Sequence, residues 1–156
     1  MKYFLYIAGT VVGSCVLWFA YYAFSPLFIH IKVDEALPQQ EQQAQPQGQV
    51  APVGATVIGT AGHPASGSAR IVTAEGKTYL RYENFKTING PDLYVYLAKD
   101  LNAKEFVSLG KVKATEGNIN YEIPQGVNPA EYPYVMTWCK QFGVLFNYAE
   151  IASTFR

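Results

Sequence analysis

The chain has 156 residues, 49% apolar, 15% aromatic and 15% charged, with 12 Lys+Arg set against 12 Asp+Glu. That length holds one ordinary domain with a tail and hardly two. From Val53 onward 10 basic residues mix with 9 acidic ones, so there is no basic stripe for phosphate contacts and a nucleic-acid partner is excluded.

Low charge and many aromatics point to a membrane segment. Tyr3 to Ile29 is a run of 27 residues without one charged or amide side chain. A spanning helix needs about 20 apolar residues, so the run predicts an N-terminal transmembrane anchor over residues 1–32, with the membrane as partner through residues 3–29. A cleaved signal peptide would have a shorter core and an A-x-A-like site, which Ala20-Tyr21-Tyr22-Ala23 does not supply. Val12-Gly13-Ser14-Cys15 resembles a lipobox, and a lipoprotein lipidated at Cys15 is the alternative. The anchor is preferred because Val16-Leu17-Trp18-Phe19 continues the apolar run where a lipoprotein has a polar tether. Tyr3, Phe4 and Tyr6 at one end and Trp18 to Tyr22 with Phe24 and Phe28 at the other form interfacial belts. Lys2 before the run, and Lys32 offset at once by Asp34 and Glu35 beyond it, predict a cytoplasmic N-terminus and an extracytoplasmic domain. Gly9 and Gly13 are spaced as a helix-pairing face, which would allow self-association, although small residues are common in membrane helices for other reasons.

Residues 33–54 change character. Leu37 to Gln49 holds seven glutamines, two prolines and no aromatic residue. Such a segment cannot bury enough apolar surface to offset its ordering entropy, and a disordered linker is expected. About 20 flexible residues span roughly 25 Å, enough to lift a domain clear of the headgroups.

Residues 55–156 read as an all-β domain. Runs rich in Val, Ile, Tyr, Phe and Thr are separated by Gly, Asn, Pro and Asp. Strands are expected at Thr56–Ala61, Ser68–Ala74, Lys77–Phe85, Asp92–Ala98, Glu105–Val112, Asn118–Ile123, Tyr134–Cys139 and Val144–Ala149. Glu75-Gly76 is a hairpin signal, and Asn89-Gly90-Pro91-Asp92 is turn chemistry. Alternation places Leu93, Val95 and Leu97 inward with Tyr94 and Tyr96 outward, and Leu80 and Tyr82 inward with Arg81 and Glu83 outward. No amphipathic helix follows the linker. The fold predicted is an antiparallel β-sandwich.

The domain lacks a phosphate-binding loop, a nucleophile elbow, a zinc-protease helix, a C-x-x-C pair and a C-x-x-C-H haem attachment site. Its one histidine is His63 and its one cysteine is Cys139. A blue-copper site needs two histidines and a cysteine, so a cupredoxin of the usual kind is excluded. Cys139 then has two readings. Either it is a small apolar core residue, sharing a strand face with Val135 and Thr137, or its thiolate is a nucleophile, redox centre or ligand that Lys140 helps to activate. A third has it forming an intermolecular disulfide. His63, in a loop, is either solvated or a partner of Cys139. Asp92 reads as a turn-capping side chain.

Six phrases taken together resemble one family. They are Gly62-His63-Pro64-Ala65-Ser66-Gly67-Ser68-Ala69, Leu80-Arg81-Tyr82-Glu83-Asn84-Phe85, Asn89-Gly90-Pro91-Asp92-Leu93-Tyr94-Val95-Tyr96-Leu97, Phe106-Val107-Ser108-Leu109-Gly110, Asn120-Tyr121-Glu122-Ile123-Pro124 and Trp138-Cys139-Lys140-Gln141-Phe142-Gly143-Val144-Leu145-Phe146. In that order and spacing, over residues 55–152, they are similar to the Skeletor-type "DM thirteen" electron-transfer domain. The resemblance implies an extracytoplasmic β-sandwich with a role in electron transfer or oxidative modification. It also implies a redox partner protein, with Cys139 as a redox thiol or as ligand to a prosthetic group such as haem, and His63 beside it in the cofactor site. The expectation is thus a redox or binding module rather than a stand-alone enzyme. The alternative is a non-catalytic binding or envelope-scaffolding sandwich with a structural cysteine.

Overall fold

A computed structural model describes residues 2–25, 29–38 and 54–151. Helix α1 runs from Lys2 to Phe24 and is apolar on every side, long and apolar enough to cross a membrane. Cys15 lies mid-helix and exposed. The candidate pairing face at Gly9 and Gly13 is open, with no other group near either position.

Ten strands follow: β1 (Lys32–Asp34), β2 (Ala55–Thr56), β3 (Ile58–Gly59), β4 (Ala65–Ala74), β5 (Lys77–Thr87), β6 (Leu93–Ala98), β7 (Phe106–Lys111), β8 (Glu116–Glu122), β9 (Tyr134–Cys139) and β10 (Val144–Glu150). They build two five-stranded sheets, ordered β1-β8-β5-β4-β2 and β3-β10-β9-β6-β7. The sandwich predicted from alternation is the fold. Its core is the inward rows of both sheets, with Leu80, Tyr82, Phe85, Val95, Leu97, Ile119, Tyr121 and Val135 at 0–2% exposure.

Four features differ from the sequence reading. The run expected as one strand at Thr56–Ala61 breaks at Val57, which is buried where the chain crosses from one sheet to the other. Tyr96 does point away from the core, yet it is only 3% exposed, because Phe106 stacks on it at 4.1 Å and Met136 packs beside it. Arg81 also points outward and is only 4% exposed. Finally, residues 33–38 are not linker. β1 pairs with β8, and it does so in parallel, the exception in an otherwise antiparallel sandwich. The rest of the predicted linker, residues 39–53, lies outside the described residues.

This last difference has a local cause. Gly117 sits opposite Val33 with φ +121°, and a Cβ there would overlap the Val33 carbonyl. Only glycine lets the two backbones come this close. Further ties secure the segment: Thr115 N donates to the Ile31 carbonyl (2.8 Å), Ile31 N donates to Thr115 Oγ1 (3.0 Å), Asn118 Nδ2 donates to Asp34 Oδ1 (2.7 Å), and Asn120 N donates to Glu35 Oε2 (2.6 Å).

Gly117→Ala should therefore release β1, costing about 1–3 kcal/mol for the strained backbone alone. Hydrogen exchange at Val33 and Glu35 should rise while exchange in β9 stays slow. Unchanged protection of Val33 would contradict the arrangement.

Burial also sets the alkaline limit. Desolvation pushes Tyr121 up to about 12 and raises Tyr82 further still. Unfolded phenols ionise near pH 10. Both groups thus give their full stabilisation below about pH 10, and it is lost as the pH rises from there toward the folded-state values. Neither the Tyr82 hydroxyl nor that of Thr137 beside it makes a hydrogen bond within normal limits. Tyr82→Phe should accordingly leave neutral-pH stability unchanged or higher. It should also flatten the fall in unfolding free energy between pH 9 and pH 11, as followed by denaturant titration.

Candidate functional site

Cys139 ends β9, with Leu93 of β6 as its register partner on one side and Val144 of β10 on the other. Val135, Thr137 and Cys139 share the inward row and are each 0% exposed. The thiol packs in a small cluster with Leu93 and Phe146, with Ile88 and Val112 against it. A thiol so enclosed is out of reach for an intermolecular disulfide unless the cluster opens. The next residue points the other way. Lys140 Nζ lies 5.4 Å from the ring centroid of Tyr94 on the outer face, where Lys111 Nζ also approaches at 5.8 Å. Lys140 therefore does not assist the thiol. The Asp92 carboxylate is 3.6 Å from Lys111 Nζ.

His63 closes a tight turn that begins at Thr60, with its N–H donating to the Thr60 carbonyl (2.9 Å) and Gly62 at φ +81°. Thr60 Oγ1 donates its proton to the carbonyls of Leu145 (2.7 Å) and Phe146 (3.0 Å), and lies 3.1 Å from His63 Nδ1. With the hydroxyl proton given to a carbonyl, the Nδ1–H tautomer of His63 completes that contact. In the neutral ring Nε2 is then the bare nitrogen. The imidazole stacks on Phe146 with centroids 4.0 Å apart and planes at 27°.

Phe146 thus relates the two candidates: His63 lies on its ring, and Cys139 belongs to the same buried cluster. The sequence reading missed Phe146. Alternation puts it on the same face as Val144, but that this face is the one beside Cys139 rests on the β9–β10 register, which the residues do not carry. A cleft of about 410 Å³ opens beside this stack, lined by His63, Phe146, Phe142, the Asn89–Pro91 turn, and Phe19 and Phe24 of α1.

The side chains do not fit a prosthetic group held by Cys139 and His63 together. The thiol does not line the cleft, and the imidazole lies flat on Phe146 with Nδ1 engaged. Among the described residues no three His, Cys, Asp or Glu side chains converge as a metal site. What the arrangement offers is an enclosed thiol behind an aromatic stack at one end of the sandwich.

Fold and site define a small β-sandwich domain carrying one sheltered cysteine, preceded by an apolar helix. Residues 57–151 match the family described as Electron transfer DM13, and the chain belongs to that family. Comparison with curated proteins and with solved structures finds no match.

Chemistry at Cys139 requires Phe146 or Leu93 to move aside. A maleimide should label the native thiol no faster than the cluster opens. Phe146→Leu, a change expected to cost about 1 kcal/mol, should speed native-state labelling well beyond its effect on global unfolding. The test is made in a Cys15→Ser background, because Cys15 is exposed, and fast labelling of that parent in native buffer would show that the cluster does not seal the thiol.

Proposed function

We propose that the chain is a membrane-anchored, extracytoplasmic electron-transfer or thiol-redox module whose working residue is Cys139. Family membership supports a redox role. The observation that carries the assignment to this residue is positional: at one end of the sandwich the domain's one histidine stacks on Phe146 and its one cysteine lies in the buried cluster that includes Phe146. On this reading α1 holds the chain in the bilayer, with Lys2 on the cytoplasmic side. His63 and Phe146 form the outer wall of the redox site, and a redox partner approaches across them.

A second reading has a specific observation behind it. At 0% exposure Cys139 has the environment of a core residue, and a binding or scaffolding domain would need nothing more of it.

Redox titration of the full-length protein in its native membrane, comparing wild type with Cys139→Ala and Cys139→Ser, separates the two. A redox module loses its response in both variants, while the Ala variant keeps an unfolding midpoint near that of wild type. A structural cysteine leaves the redox response intact in both. Its mark is lost stability in the Ser variant, about 1–3 kcal/mol for a hydroxyl buried among apolar side chains.

A further inference from the structure

The two ends of the sandwich differ in chemistry. At one end lie the Glu75-Gly76 and Gln125-Gly126 turns and the loop from Lys99 to Glu105, mostly polar or charged. Leu101 and Ala103 there pack against the cluster around Tyr96 and Met136, and Phe106 is that end's one large exposed apolar side chain among the described residues. At the other lie the Ile88–Pro91 turn and the tip of the β9–β10 hairpin, where Phe142 is 45% and Val144 36% exposed. Ile29 and Ile31, at 52% and 43%, join the same end. Four large apolar side chains exposed together at one end call for a partner.

The chain itself says which partner. The segment after α1 is already bound to the domain at Ile29, whose carbonyl accepts from Asn89 Nδ2 (3.2 Å), and at Ile31, whose N–H and carbonyl both meet Thr115. Helix α1 ends at Phe24. Five peptide steps from Phe24 to Ile29 reach at most about 18 Å, even fully extended. The Asn89–Pro91 turn therefore stands no farther from the end of α1 than that reach plus one side-chain hydrogen bond. The last turns of α1 also help to line the cleft, through Phe19 and Phe24. A 23-residue helix is about 35 Å long against a hydrocarbon core of about 30 Å, so its final turn lies in the interfacial layer.

We infer that this end of the sandwich, carrying Phe142, Val144, Ile29, Ile31 and the Asn89–Pro91 turn, docks on the bilayer interface. The occupant of the apolar end is the phospholipid interface itself, and the cleft beside His63 and Phe146 opens at headgroup level. Aromatic and aliphatic side chains at such a surface sink about 5–10 Å into the boundary between headgroups and acyl chains. The sequence reading had the domain lifted clear of the membrane by a flexible tether. Here the Gln-rich segment instead connects β1 to β2, both strands of the same sheet, and contributes nothing to the distance from the anchor.

This inference rests on the reading of α1 as a membrane anchor, and the experiment tells the two apart. The full chain in a Cys15→Ser background is reconstituted into phosphatidylcholine nanodiscs with a nitroxide at Phe142→Cys or, at the opposite end, at Gln125→Cys. Cys139, fully buried, takes up no label in the parent, which is checked first. Power-saturation measurements compare collisions with oxygen, which concentrates in lipid, and with a water-soluble nickel chelate. Docking predicts a ratio of oxygen to nickel accessibility several-fold higher at position 142 than at 125. Equal, water-like ratios in a chain that stays in the disc would overturn the docking and leave the anchor standing. A chain that does not remain with the disc, or is extracted by alkaline carbonate, would overturn both.

Discussion

The arrangement hangs on the need to satisfy one buried guanidinium. Arg81 on β5 faces Arg70 on β4 directly across the ladder, and the two are 4% and 2% exposed. Like charges paired across strands destabilise a sheet, and buried cations are costly unless their donors are met. Glu83 lies 3.1 Å from Arg70 and 3.6 Å from Arg81, and so offsets part of the charge. The Nη1 group of Arg81 needs more, and finds Asn120 Oδ1 at 3.0 Å, the Glu35 carbonyl at 2.7 Å and the Ala36 carbonyl at 3.4 Å. Two of those acceptors belong to the segment that follows β1. That segment covers Arg81 and supplies its acceptors, and the cover is held in place by Arg81 in return.

From this lock the position of the rest follows. β1 can run beside β8 only because Gly117 offers no side chain, and with β1 fixed, Ile29 to Ile31 must leave the domain at the end where β5 passes into the Ile88–Pro91 turn. Cys139, the last residue of β9, and Val144, the first of β10, lie at that same end. The candidate site and the point of attachment to α1 are thus neighbours for a topological reason.

Much of this was legible in the residues. Tyr134–Cys139 is bounded as alternation and turn chemistry predict, the Glu75-Gly76 hairpin is present, and the inward rows on β5, β6 and β9 match the pattern. β1 was not legible, because three residues of mixed polarity carry no period and a parallel neighbour 84 positions away leaves no local trace. Gly117 advertises its role only once that neighbour is known. Arg81 and Tyr96 show a related limit. Alternation tells which way a side chain points but not whether something covers it, and the covers here are a remote strap and Phe106. At the site, Cys139 and His63 were legible as residue types. Their relation through Phe146 depends on how β10 registers against β9, and the register shifts between Leu145 and Asn147.

On the proposal that Cys139 is the working residue, its enclosure narrows the kind of redox chemistry that suits this end of the molecule. A nucleophilic thiol must meet its substrate, and Leu93 and Phe146 stand in the way until they move. An electron has no such requirement; it needs only close, continuous packing toward the donor or acceptor. That continuity is present, since the thiol lies in one buried cluster with Leu93 and Phe146, Phe146 stacks on His63, and both rings line the cleft beside Phe142. If the end bearing that cleft rests on the bilayer, the packed route from Cys139 ends in the interface rather than in bulk water. A partner that collects or delivers electrons there would itself reside in, or lie against, the membrane.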